Sequence, residues 1–207
     1  MFEKFIKANE PVREANNNSE DSDLFRNIPE PLTKLLQECG SCTFRGGLYR
    51  THAIISSIHW AIIIENYFPA YLGKIIPFGY DWMGRQFCNY KGDPNLILMF
   101  DPATVEGYEL EQNIIDFHNV DLVEDRESML SDLLFDQVKR SLKIQKIPYQ
   151  ECVGYRVPLF LNGKDAVSNQ ELIDTEVYWE TQCQLYNQIK NLPDGTKIGS
   201  VKINEIK

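Results

Sequence analysis

Cys39-Gly40-Ser41-Cys42 has the CxxC spacing in which one thiol attacks and a second resolves the mixed disulfide. Structural zinc needs two more ligands at similar spacing, and none follow. The pair also falls at the end of an expected helix, whereas a redox thiol is favoured at a helix start, where the dipole lowers its pKa. Two buried small hydrophobes are therefore the preferred reading. His52 and His59 lie seven apart and can share a helix face, with His118 distant in sequence. Their spacing lacks the i, i+4 pair of a metal helix, and no G-x-S-x-G, H-E-x-x-H or S-x-x-K occurs. Gly163-Lys164 is followed by Asp165, so no phosphate-binding loop forms there. Cys39, Cys42 and His52 remain the best residues for an enzymatic reading, but the expectation is of no catalytic, cofactor or metal site.

The strongest chemical signal is charge. The chain has 207 residues and a net charge of −9. Residues 101–136 hold eleven acids and a single base, Arg126, and the remainder is close to neutral. Such a balance repels phosphates, so direct nucleic-acid binding is not expected. Paired carboxylates can serve acid–base work or Mg²⁺, and a solvated acidic face is the plain reading. The sharper one is a docking surface for a basic protein. Its candidate contacts are Asp101, Glu106, Glu109, Glu111, Asp116, Asp121, Glu124 and Asp125, with Trp82 as an exposed aromatic anchor between Asp81 and Gly84.

The elements that must position these residues follow from periodicity and punctuation. Phe2, Phe5 and Ile6 predict a short amphipathic helix. Residues 9–23 read as a mobile loop. Pro29-Glu30-Pro31 opens a second helix with Leu32, Leu35 and Leu36 on its apolar face and Gly40 as its C′ residue. Residues 43–51 read as a turn and an extended piece. Ile54–Phe68 reads as a helix, although Ile62-Ile63-Ile64 equally suits a strand. Short strands are expected at Ile75–Phe78, Arg85–Tyr90, Leu96–Phe100 and Glu106–Leu110, with Asp101-Pro102-Ala103-Thr104 as a turn, which implies an antiparallel meander. Beyond it come a helix at about 126–143, an edge strand at Tyr155–Leu161 and a turn at Asn162-Gly163. A helix then runs from a Ser168-x-x-Glu171 capping box to about Lys190, and a last strand covers 197–203.

Several runs resemble a bacterial family. They are Phe44-x-x-Gly47-Leu48-Tyr49-Arg50, Phe78-Gly79-Tyr80-Asp81-Trp82-Met83-Gly84-Arg85-Gln86-Phe87, Leu98-Met99-Phe100-Asp101-Pro102-Ala103-Thr104, Cys152-Val153-Gly154-Tyr155-Arg156-Val157-Pro158 and Glu176-Val177-Tyr178-Trp179-Glu180. Together they resemble the GAD-like, type VI secretion DNase-immunity family, which is similar to the wider SUKH immunity superfamily. The resemblance implies an α+β fold, SUKH-like, with a central antiparallel sheet flanked by helices. It implies a helical GAD-like part at 1–74 and an immunity-type α+β part at 75–207, packed as one globular unit.

The function implied is non-enzymatic: binding and neutralising a toxic effector, typically a basic nuclease. The alternative is a SUKH-like interaction or regulatory module with no toxin partner. Five scattered cysteines, an opening without an apolar signal segment and no run long enough to span a bilayer point to a cytoplasmic chain with no membrane partner. Nothing in the residues sets the oligomeric state.

Overall fold

The computed structural model describes residues 1–14, 28–193 and 195–203. Of the loop expected over residues 9–23, residues 15–23 lie outside them, and Val12–Arg13 is instead a short strand paired with Cys42 and Thr43. A seven-stranded antiparallel sheet runs in strand order β1 to β7. Its strands are β1 (Val12–Arg13), β2 (Cys42–Phe44), β3 (Tyr49–Thr51), β4 (Ile75–Asp81), β5 (Gln86–Tyr90), β6 (Ile97–Asp101) and β7 (Glu106–Leu110). The fold is α+β, with helices on both faces of this sheet.

The expected meander is present as β4–β7. Alternation decides its two faces. Ile76, Phe78, Phe87 and Ile97 enter one core, while Ile75, Cys88, Leu98 and Phe100 enter the other. The first core is covered by α1 (Glu3–Asn9), α2 (Glu30–Cys39) and a helical crossing at residues 114–124. It is completed by α6 (Arg126–Leu130) and α7 (Asp132–Leu142). The second is covered by α3 (Ile54–Tyr67) and α8 (Thr175–Ile189), through Trp60, Ile63, Ile64, Trp179 and Cys183. The crossing is made of α4 (Ile114–Asp116), a π-helical turn (Phe117–Asp121) and α5 (Leu122–Glu124). The π register lets the adjacent Phe117 and His118 both face inward.

The part before residue 75 is not purely helical. It supplies β1–β3, and β3 pairs directly with β4 at Tyr49–Asp81, Arg50–Tyr80 and Thr51–Gly79. One sheet therefore spans both expected parts of the chain.

Five local expectations are corrected. Gly40 has φ −59° and is not the left-handed residue after α2; Ser41, at φ 57°, is. The helix expected over 126–143 breaks at Ser131, φ 54°, next to Leu130, whose O accepts the Trp82 indole N–H. The strand expected at Tyr155–Leu161 is instead β8, Glu151–Tyr155. Pro158, which has no N–H, leads into a 3₁₀ turn at Leu159–Leu161. The capping box at Ser168 does not start a helix. Gln170–Asp174 is β9, paired with β8 along its length. Asp174 is the true cap of α8, its Oδ1 accepting from Glu176 N and Val177 N, both at 3.0 Å. Residues 197–203 form no strand.

Candidate functional site

The eleven-acid stretch does not fold into one face. It starts at the end of β6, forms the edge strand β7 and then crosses the sheet toward α1. Asp101 is half-buried, and its Oδ1 accepts from Ala103 N at 2.8 Å, so it closes the β6–β7 turn as expected. Burial raises its pKa. That is a structural role.

Glu106, Tyr108 and Glu109 are exposed on β7, and Glu111 follows directly. Tyr108 donates to Glu106 Oε2 at 2.5 Å, and this bond raises the phenol pKa. Among the described residues Glu109 and Glu111 have no ion-pair partner. Among the described residues no further strand pairs with the outer side of β7.

Asp116, Asp121, Glu124 and Asp125 accompany the crossing, while Glu127 lies on α6 and Asp132 and Asp136 on α7. Asn113 caps α4, accepting from Ile115 N and Asp116 N at 3.0 and 2.9 Å, and donates to Asp116 Oδ2 at 2.7 Å. Asp121 accepts from Gln112 Nε2 at 3.3 Å, and burial raises its pKa. Glu124 is engaged by Lys4 of α1, and Asp125 is exposed. His118 touches Tyr49 on β3 and Phe78 on β4. β3 lies four strands from β7, so the crossing has travelled roughly 19 Å across the sheet. The acids thus form an edge group (Glu106, Glu109, Glu111) and a second group beside α1 (Asp116, Asp121, Glu124, Asp125).

Trp82 is not an exposed anchor. It is 0% exposed, donates its indole N–H to Leu130 O at 2.6 Å and packs on Phe135. The reason lies in Asp81. Its Oδ1 accepts from Met83 N and Arg85 N, both at 3.0 Å, and its Oδ2 from Arg85 Nε at 2.6 Å. This tight turn, with Gly84 at φ +79°, carries the indole inward. Val153 N donates to Trp82 O at 2.7 Å and ties β8 to the same turn.

The residues of the enzymatic reading lie apart. Cys39 and Cys42 are buried free thiols. Burial pushes Cys39 up to about 12 and raises Cys42, so neither is a ready thiolate. His52 is buried before α3, with Nδ1 3.2 Å from Ser56 Oγ and Nε2 2.8 Å from Gln86 Oε1. The order hydroxyl, imidazole, amide has the shape of a nucleophile–base–orienter chain. Its chemistry differs, because a neutral amide stabilises an imidazolium far less than a carboxylate does, and burial outweighs the Gln86 bond and lowers the His52 pKa to about 4. Ser56 Oγ also lies 3.1 Å from Ala53 O. The set fastens the start of α3 to β5. Beside it is a cleft of about 270 Å³ lined by His59, Trp60, Tyr149, Asp174 and Glu176. His59 Nε2 meets Glu176 Oε2 there at 2.9 Å. The His52–Ser56 spacing of four is the signal in the sequence that could have pointed to this contact. Gln86, on another strand, gave none.

No family model matches the chain, and no curated protein matches it. It is similar to the crystal structure of Atu4351 from Agrobacterium tumefaciens, with a TM-score of 0.65 and 14% identity over 89% of each chain. At that identity the likeness concerns the fold alone. Among the described residues no helix is long and apolar enough to cross a membrane.

Proposed function

We infer that this chain is a cytoplasmic immunity protein that binds and neutralises a basic toxic effector, of the nuclease type, by way of its acidic sheet edge. The observation that carries the reading is β7: an edge strand whose exposed Glu106, Glu109 and following Glu111 lack ion-pair partners among the described residues. A bare edge offers main-chain groups to any passing strand. Carboxylates along it disfavour acidic or neutral strands and favour a partner that brings positive charge. A nuclease carries such charge in the groove that holds phosphates. The resemblance of the sequence runs to an immunity family supports the same reading. Five buried free cysteines agree with a reducing compartment.

The test is protection. Cells expressing a basic secreted nuclease captured with this chain are expected to survive when the chain is co-expressed. Reversal of Glu106, Glu109 and Glu111 to lysine is expected to remove that survival without loss of soluble protein. Survival unchanged by the reversal excludes the β7 surface. Absence of any effector that the chain silences, with capture of a housekeeping complex instead, favours the regulatory-module reading.

A further inference from the structure

We propose that the outer face of α3 is a self-association surface, on which two copies of this chain pack as a weak antiparallel helix pair. The inference is independent of the functional reading above. Helix α3 is apolar on its outer face as well as on its inner one, a pattern expected of a helix covered on both faces. Its inner face packs on the sheet through Trp60, Ile63 and Ile64. Among the described residues its outer face is uncovered: Ile55 is 68% exposed, Ile58 46% and Ile62 57%. These residues sit at i, i+3 and i+7, one stripe along the helix. Leu72, 69% exposed, adjoins Gly73, which shares with Ile58 and Ile62 the lining of a groove of about 340 Å³.

Three arguments commit this face to a second copy. First, the stripe is its own complement. A two-fold axis near Ile58 sets Ile55 of one copy against Ile62 of the other, with Ile58 of both at the centre. Second, the chain carries −9 overall, so two copies meet most cheaply through a neutral face, and residues 54–64 contain no Asp, Glu, Lys or Arg. Glu65 and Lys91 stand along the same groove, one charge of each sign, so it carries no net charge. Third, the four exposed side chains amount to roughly 450 Å² of apolar surface, within the range of patches that mark interaction sites. That is about half of what each partner contributes to a standard interface, so the dimer is weak and concentration-dependent.

Sedimentation of the full chain between about 5 and 500 µM reads this directly. The weight-average mass is expected to climb from the monomer value toward twice it, and to climb further at high salt, which screens the acidic copies from each other. Ile58→Asp places two carboxylates at the two-fold centre and is expected to hold the mass at the monomer value, whereas Ile58→Leu keeps the dimer. Ile62→Lys serves as a second disruptive variant, and circular dichroism confirms that both exposed-site changes leave the fold intact. A wild-type chain that stays monomeric at the highest concentration overturns the proposal. So does an Ile58→Asp chain that associates as well as wild type.

Discussion

Tyr49 Oη lies 3.1 Å from His118 Nε2, a contact that joins strand β3 to the crossing segment 69 residues further along the chain. His118 Nδ1 is 2.8 Å from Ile114 O and must donate to it, which leaves Nε2 as the acceptor of the Tyr49 hydroxyl. The rings of Phe2, Phe5, Phe78 and Phe117 enclose the imidazole. Tyr49→Phe keeps the packing but strands the Nε2 acceptor, and is expected to cost about 1–3 kcal/mol in urea unfolding. Gly79→Ala attacks the same contact by another route, since a Cβ there would lie 2.2 Å from Tyr49 Oη. It is expected to cost at least as much, because the obstructing atom belongs to a side chain locked in the core.

Acid sensitivity follows from the same imidazole and from His52. Burial lowers both pKa values to about 4 in the folded chain, against a reference of 6.5. The unfolded chain therefore binds protons first as pH falls, so stability drops between about pH 6.5 and 4 and the loss levels off below. Each buried imidazole is expected to remove about 3 kcal/mol over that window. Asp101 and Asp121, whose pKa values are raised, act in the opposite direction near the bottom of it. Thermal melts from pH 7.5 to 4 check this, and His118→Gln, which no longer titrates, is expected to flatten the slope by about half.

The indole of Trp82 meets a helix end, donating to the O of Leu130, the last residue of α6 before Ser131. Trp82→Phe loses that donor and leaves a void against Phe135. A loss of about 2–4 kcal/mol is expected. Effector affinity at a fixed folded fraction is expected to stay unchanged, since the ring reaches no surface.

Legibility in the sequence tracked how local the deciding interaction is. The strands β4 to β7 were readable because Gly92-Asp93-Pro94 and Asp101-Pro102 separate short apolar runs, and each strand pairs with its sequence neighbour. The Asp101 turn was readable for the same reason: its hydrogen bond spans two residues. Where the partner is remote, the reading failed. The Ser168 box was a sound local signal, but Gln170–Asp174 gains a whole ladder from β8, and that outweighs one cap. Trp82 between an acid and a glycine looked exposed; its acceptor, Leu130, lies 48 residues away. The acidic block was legible as composition and not as shape, since nothing local says that the chain crosses the sheet midway through it.

All five thiols are free and buried, and burial raises the pKa of each one. Native protein is therefore expected to resist iodoacetamide at pH 8 for hours and to take up five equivalents once unfolded in guanidinium. A single fast-reacting thiol in the native state, at Cys39 or Cys42 above all, would restore the redox reading of the CxxC spacing.

The division of the acids into two groups gives the docking proposal its sharpest prediction. Glu106, Glu109 and Glu111 are exposed and lack ion-pair partners among the described residues, so each contributes its full charge to the field that a basic partner meets. Glu124 is already partly neutralised by Lys4, and Asp121 is half-buried against Gln112. Triple reversal to lysine at the edge changes the local charge by six, and is expected to slow association by at least tenfold at low salt. The wild-type rate should fall steeply from about 20 to 500 mM salt, and the variant's should not. Reversal of Asp121 and Glu124 is expected to cost stability through the lost Lys4 and Gln112 contacts while leaving the association rate within about threefold. Stopped-flow association with the captured effector reads both. The reverse ranking, with the α1-side acids controlling the rate, would move the docking surface to the other end of the crossing.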